Sequence, residues 1–146
     1  MNNQIINSNE LSINISLINN KLHFIGNAEN KEQISIDYIP PYGDNLGHTS
    51  LELFLLSLSS CLGSSVLLLL RKMNKNIISF SIKTNGNRRE THPTCFEKIN
   101  IQLIIESDNT KADDIEKAIK LSEESICPVW AMIKGNVEVH VNYSII

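Results

Sequence analysis

Hydrophobic and polar residues alternate over the first third of the chain, which is the pattern of strands with one buried face. The alternation predicts strands over residues 11–18, 22–28 and 34–38. Asn19-Asn20 predicts a two-residue turn between the first two strands, because asparagine tolerates the positive φ that hairpin turns need. These segments together predict a three-stranded antiparallel meander.

A long apolar segment, residues 49–73, predicts the central helix of the fold. Thr49 and Glu52 have the spacing of a capping box, in which the hydroxyl and the carboxylate each accept a backbone N–H. No charge occurs over residues 53–70 and leucines fall on every side, so we expect this helix to be buried nearly all round. Cys61 lies at its middle among small residues, which would let another backbone approach closely.

Two simpler interpretations of the apolar segment remain open. Its length is about that of a membrane span, although its serines, its glycine and the strand patterns on both sides favour a core helix. Cys61 in a core helix would by itself be a structural thiol, which behaves as a small hydrophobic residue.

The second half of the chain predicts three more strands, over residues 78–82, 96–105 and 137–143. The middle one of these is expected to carry a bulge near Glu97-Lys98. A polar connection over residues 86–94 separates the first two.

Helical spacing returns over residues 111–125, where one face is apolar and is continued by Ile126. Cys127-Pro128 interrupts this spacing, and Pro128 favours the first turn of a short helix over residues 129–133. Cys127 would then be the N-cap of the short helix or lie next to it. Because the positive end of a helix dipole stabilises a thiolate, we expect a lowered pKa for Cys127.

The predicted order of elements is βββ-α-ββ-αα-β. Strands are grouped rather than alternating with helices, which indicates an α+β fold with a mainly antiparallel sheet and a long buried central helix. The length of 146 residues predicts a single domain over residues 1–146.

Composition narrows the possible functions. The net charge of −3 gives no basic excess for binding nucleic acid, and residues 1–7 lack the charged start of a secretory signal, so a cytoplasmic location is expected. Three cysteines, Cys61, Cys95 and Cys127, do not suit a secreted disulfide framework. In a reducing compartment a pair of such thiols is more often catalytic or redox-active.

Three segments of the sequence resemble the OsmC/Ohr-like family, named for osmotically induced and organic-hydroperoxide-resistance proteins. They are residues 49–62 around the first cysteine, residues 92–99 (His-Pro-Thr-Cys-Phe-Glu-Lys-Ile), and residues 127–135 (Cys-Pro-Val-Trp-Ala-Met-Ile-Lys-Gly). The order of strands and helices also matches, and the segment with His92 is most similar to the less characterised OsmC-like branch.

The resemblance implies an intertwined homodimer with two active sites at the subunit interface, without metal, cofactor or membrane. It implies that Cys61 is the peroxidatic thiolate, which attacks the O–O bond of an organic hydroperoxide and becomes a sulfenic acid. Cys127 would then condense with it to a disulfide, which a dithiol, in the family often a lipoyl group, reduces by exchange.

This chain departs from the best-studied members of the family at two positions. They have an arginine in the N-terminal strands, whereas no arginine precedes Arg71 here. Arg88 or Arg89 would have to replace the missing arginine. His92, which lies near them in sequence, could help to bind an anionic group. They also have a glutamate at the position of Leu51. Glu52 is one residue away, and its alternative role is that of a helix cap.

Two other functions therefore remain open for the same fold. One is a non-enzymatic dimer that binds an apolar small molecule in the cysteine pocket. The other is a redox sensor whose disulfide alters the binding of a partner.

Overall fold

The computed structural model describes residues 9–146, so residues 1–7, on which the predicted location rests, lie outside it. In chain order the elements are β1 (Ile13–Leu17), β2 (Phe24–Ala28), β3 (Ile34–Ile36), α1 (Ser50–Lys72), β4 (Ile77–Arg88), β5 (Phe96–Ser107), α2 (Ala112–Leu121), a π-helical turn (Ser122–Ile126), α3 (Pro128–Ile133) and β6 (Glu138–Ile145). The predicted α+β class and the predicted order of strands and helices are confirmed.

Contacts divide the chain into two compact units, Met1–Leu53 and Phe54–Ile146, with α1 beginning in the first and continuing in the second. Within residues 9–146, each unit contains one three-stranded sheet. The expectation of a single domain over residues 1–146 stays a prediction.

The sheet of the first unit has the order β1-β2-β3, with both pairings antiparallel. The meander is therefore confirmed, but the prediction of a two-residue turn at Asn19-Asn20 is wrong. The side-chain oxygen of Asn19 accepts hydrogen bonds from the backbone N–H groups of Lys21 at 3.0 Å and His23 at 3.1 Å. This side-chain bonding replaces a tight hairpin turn with a longer one, and β2 begins only at Phe24.

A buried carboxylate, that of Asp37, fixes the loop that follows β3. It accepts hydrogen bonds from the backbone N–H groups of Tyr38 at 2.7 Å, Asp44 at 3.1 Å and Leu46 at 3.1 Å. Gly43 is needed in this loop, because a Cβ there would lie 2.1 Å from the Tyr38 carbonyl oxygen.

The sheet of the second unit has the order β4-β5-β6. β4 and β5 form an antiparallel hairpin, whereas β6 is parallel to β5, because the chain returns through α2 and α3 before it pairs. The predicted bulge is confirmed: Asn87 pairs with Lys98 and Arg88 with Phe96, so Glu97 is the extra residue.

The core of the second unit forms between α1, α2 and the inner face of β5. Its fully buried side chains include Leu58, Leu62, Val66, Leu70, Ile99, Leu103, Ile105 and Ile115. The extent of α1 agrees with the prediction. The prediction that this helix is buried nearly all round is wrong within one chain. Leu56 is 54% exposed and Leu68 is 56% exposed, because the sheet of one chain covers only one face of the helix.

Among the described residues, α1 is the one helix that is long and apolar enough to cross a membrane. Its buried leucines pack in the core of the second unit, and its serines alternate with them. This packing is that of the core helix of an α+β fold.

Candidate active site

Cys61 is placed by the way α1 packs on β4. The hydroxyl groups of Ser59 and Thr84 hydrogen-bond at 2.7 Å, and the backbone of Gly63 lies against Ile82, where a Cβ would come within 2.6 Å of the isoleucine Cδ1. Gly63, one of the small residues around Cys61, therefore allows a close contact between α1 and the side chains of β4. The Cys61 side chain is half-buried.

Cys127 is placed by two short segments that meet at its backbone. It ends the π-helical turn, since its N–H donates to the carbonyl oxygen of Ser122 at 2.8 Å. It is also the N-cap of α3, as predicted, with Pro128 at the first helical position. The Trp130 N–H donates to the sulfur of Cys127 at 3.5 Å, and the side chain of Cys127 is buried.

The predicted apolar face of α2 does not continue to Ile126. Ser122 is fully buried, but Ile126 points outward and the next residue, Cys127, is buried in its place. The π-helical turn causes this difference, because it contains one residue more than an α-helical turn.

The two cysteines that the sequence singles out meet in the second unit. The thiol of Cys127 donates to the sulfur of Cys61 at 3.0 Å, across 66 residues of sequence, and both thiols are free. A disulfide needs its sulfurs about 2.05 Å apart, so oxidation of this pair requires a movement of only about 1 Å.

The expectation of a lowered pKa for Cys127 is wrong. Burial away from water and the hydrogen bond with Cys61 raise its pKa to about 11, and the N–H groups of Trp130 and Val129 only partly offset these effects. Cys127 is therefore protonated at neutral pH, which agrees with its role as the hydrogen-bond donor of the pair.

Glu52 forms the predicted capping box at the start of α1. Its carboxylate accepts from the Thr49 N–H at 3.0 Å, and its own N–H donates to the Thr49 hydroxyl at 3.3 Å. His48 lies 3.8 Å from the same carboxylate, and both side chains are exposed. These contacts are those of a helix cap.

Arg88 is the last residue of β4, and Arg89 and His92 lie in the connection between β4 and β5. Arg88 donates to the Thr94 carbonyl at 2.6 Å and also to its hydroxyl, and Arg89 donates to the Pro93 carbonyl. Within residues 9–146, no hydrogen bond joins any of these three side chains to Cys61 or Cys127. The two arginines therefore stabilise the connection between β4 and β5, which also contains Cys95.

The backbone N–H of Trp130 is the contact to Cys127 that the sequence analysis missed. It could have been found, because an N-cap side chain ordinarily accepts from the third residue of its helix. Over residues 9–146, no three His, Cys, Asp or Glu side chains are grouped so that they could hold a metal ion.

Comparison with known proteins identifies a family for this chain. The family model for OsmC-like protein matches residues 43–142. Protein YhfA of Escherichia coli is 26% identical over 125 residues, which are 86% of this chain and 91% of YhfA.

Several solved structures share the fold of this chain. A hypothetical protein from Aquifex aeolicus is 26% identical with a TM-score of 0.82, and the alignment covers 94% of this chain and 96% of the other. An OsmC-like protein from Mycoplasma pneumoniae has 19% identity and a TM-score of 0.80, over 94% and 97% of the two chains. An organic hydroperoxide resistance protein OsmC from Legionella pneumophila has 15% identity and a TM-score of 0.67, over 91% and 96%.

Proposed function

Since this chain belongs to the OsmC-like protein family, we propose that it is a thiol peroxidase that reduces organic hydroperoxides with Cys61 and Cys127. The single observation that carries the proposal is the 3.0 Å separation of the two sulfurs. The hydroperoxide resistance that the name of the Legionella protein states supports the same chemistry.

Cys61 is the peroxidatic residue in this proposal. Its thiolate attacks one oxygen of the hydroperoxide, the O–O bond breaks, and the other oxygen leaves with a proton as an alcohol. The Cys61 sulfur is thereby oxidised to a sulfenic acid. Cys127 suits this first step less well, because it is buried and holds its proton up to a pKa of about 11.

Cys127 is the resolving residue. Its sulfur attacks the sulfenic acid, the S–OH bond breaks, and the thiol proton leaves with the hydroxide as water. The Cys61–Cys127 disulfide that results returns to two thiols when an external dithiol exchanges with it and is itself oxidised to a cyclic disulfide. A lipoyl group has this chemistry, and we propose a dithiol of that class as the reductant.

A second copy of the chain is part of the proposal. Large apolar side chains are exposed on β1 and on α1, including Ile13, Ile15, Leu17, Leu56 and Leu68. Such surfaces are ordinarily covered by a partner. We propose a homodimer, and analytical ultracentrifugation is expected to give twice the chain mass of 16.4 kDa.

Turnover of tert-butyl hydroperoxide with dihydrolipoamide as reductant tests the enzyme. Wild-type protein is expected to consume peroxide over many cycles, Cys61→Ser to consume it no faster than buffer, and the matched variant Cys95→Ser to keep the wild-type rate. A wild-type protein that consumes neither this nor a fatty-acid hydroperoxide with several dithiols would contradict the proposal.

The second candidate function is the binding of an apolar small molecule without turnover. The observation that favours it is the engagement of Arg88 and Arg89 by carbonyls of their own loop, which leaves them without a hydrogen bond to the cysteines. Native mass spectrometry of the purified protein separates the two functions. A co-purifying apolar ligand together with an inactive wild-type protein would favour binding, whereas a ligand-free mass would count against it.

A further inference from the structure

The turn between α2 and Cys127 is π-helical and does not continue the α-helix. The N–H of Cys127 donates to the carbonyl of Ser122, five residues earlier, at 2.8 Å. An α-helical turn joins residues four apart, so this turn contains one additional residue. Single π-helical turns of this kind are rare and occur frequently at functional sites.

The additional residue changes which side chain faces the core. Counting four residues from the fully buried Ser122 would bring Ile126 inward, yet Ile126 is 43% exposed and Cys127 is 2% exposed. One residue on a helix rotates the side chain by about 100°. The turn therefore places a thiol where regular helical spacing would place an isoleucine.

The π-helical turn buries Cys127 in place of Ile126, and this arrangement is less favourable for hydrophobic burial. Burying the larger isoleucine would remove more apolar surface from water than burying the thiol. The register is held from both sides: the Ser122 hydroxyl donates to the Ala118 carbonyl at 2.7 Å, and the sulfur of Cys127 accepts from Trp130 at the start of α3. The arrangement that buries Cys127 brings its sulfur to 3.0 Å from that of Cys61, at a cost in buried apolar surface. This favours a chemical role for the turn over a packing role.

We infer that the π-helical turn Ser122–Ile126 is the positioning element for the resolving thiol, selecting Cys127 rather than Ile126 to meet Cys61. The inference rests on the proposed function for its chemical meaning, because positioning matters only if the two sulfurs bond. Its test does not depend on peroxide chemistry.

The test is a competition between neighbouring thiols in one folded chain. Ile126→Cys, in a Cys95→Ser background, offers Cys61 a second partner at an exposed position while Cys127 still caps α3. Diamide oxidises two thiols to a disulfide, and its N=N bond takes up both electrons and both protons. After the free thiols are alkylated, tandem mass spectrometry identifies which residue remained unpaired.

We expect Cys61 to form the disulfide with Cys127 about a hundredfold more often than with the introduced cysteine. A reacting group that is misplaced by about 1 Å can react about a hundredfold more slowly. Comparable pairing with both positions would overturn the inference, since the turn would then slip freely between the two registers.

A second variant, Ile126→Cys with Cys127→Ala in the same background, measures the rate of pairing directly. Disulfide formation with Cys61 is expected to be about a hundredfold slower than in the Cys95→Ser parent, for the same geometric reason. Far-UV circular dichroism equal to that of the parent shows that the variant is folded. Formation at the parent rate would also overturn the inference.

The two proposals fail in different ways. A parent protein that forms the diamide disulfide but consumes no hydroperoxide leaves the positioning role intact and removes the peroxidase. Equal pairing at both positions in an active enzyme removes the positioning role alone. A parent that forms no Cys61–Cys127 disulfide with diamide would contradict both.

Discussion

The thiol of Cys127 donates its hydrogen bond to the sulfur of Cys61 at 3.0 Å, so the two cysteines are unequal partners. Cys127 is buried and has a pKa of about 11, and it therefore keeps its own proton at neutral pH. In the proposed peroxidase, Cys61 is therefore the sulfur that reacts first, and Cys127 the sulfur that reacts second.

Cys127→Ser is expected to stop the reaction after its first step. Without a second thiol beside it, the sulfenic acid on Cys61 cannot form a disulfide. After one equivalent of hydroperoxide, this sulfenic acid should therefore react with dimedone to form a covalent adduct. The wild-type protein, treated in the same way without a dithiol, should form the disulfide and take up little dimedone. Intact-mass spectrometry measures both products. A wild-type protein that takes up as much dimedone as the variant would show that Cys127 does not resolve Cys61.

The raised pKa of Cys127 predicts a loss of stability at alkaline pH. Burial and the contact with Cys61 raise the pKa from 9.0 to about 11, so the folded state keeps a proton that the unfolded chain releases. This contribution is fully present below pH 9 and is lost as the pH rises through about 11, with a slope of up to about 1 kcal/mol per pH unit.

Urea unfolding at several pH values between 8 and 11 measures this effect as the difference between wild type and Cys127→Ala. Subtracting the variant removes the contributions of lysines and tyrosines, which titrate over the same range. A difference that stays constant across the range would contradict the raised pKa.

The sequence was sufficient for the order of elements, because alternating and helical spacing are local properties of the chain. It also singled out Cys61 and Cys127, since a cap before Pro128 and a small-residue segment in α1 are local as well, and the structure brings their sulfurs to 3.0 Å. Their role as an active site stays a prediction. The pKa of Cys127 could not be predicted, because it depends on burial and on a sulfur 66 residues away.

Two further differences are local, but the spacing of residue types does not reveal them. Regular helical spacing placed Ile126 on the buried face, and only the bond between Cys127 and Ser122 reveals the additional residue. The side chains of Arg88 and Arg89 could have turned towards the cysteines or towards their own loop, and the loop carbonyls of Pro93 and Thr94 accept them.

Glu52→Gln distinguishes a capping role from a catalytic one. Glutamine can also accept the Thr49 N–H, so this variant should keep hydroperoxide turnover within about twofold and lose little stability. Thr49→Ala removes the hydroxyl that accepts the Glu52 N–H and should cost about 1 kcal/mol in the free energy of unfolding. Steady-state turnover and urea unfolding are the two measurements. A loss of turnover in Glu52→Gln at unchanged stability would assign the carboxylate to catalysis.

Asp37→Asn should weaken the first unit, most clearly above pH 4. Burial would raise the pKa of this carboxyl, but the backbone N–H groups of Leu46, Tyr38 and Asp44 outweigh it and hold the pKa below 3.8. The charged form is therefore favoured by folding. Its contribution is present above the unfolded value of 3.8 and is lost as the pH falls through the lower folded pKa.

An asparagine at this position has one oxygen in place of two, so at least one of the three N–H donors faces an NH2 group instead of an acceptor. The urea midpoint should therefore fall at pH 7, and the difference from wild type should shrink as the pH is lowered below 4. Asp44→Asn is the matched control, because it removes only an exposed ion pair with Lys21, and such pairs contribute little to stability. An equal effect of both substitutions would mean that the carboxylate of Asp37 does not hold the loop, and that the tight turn at Gly43 forms without it.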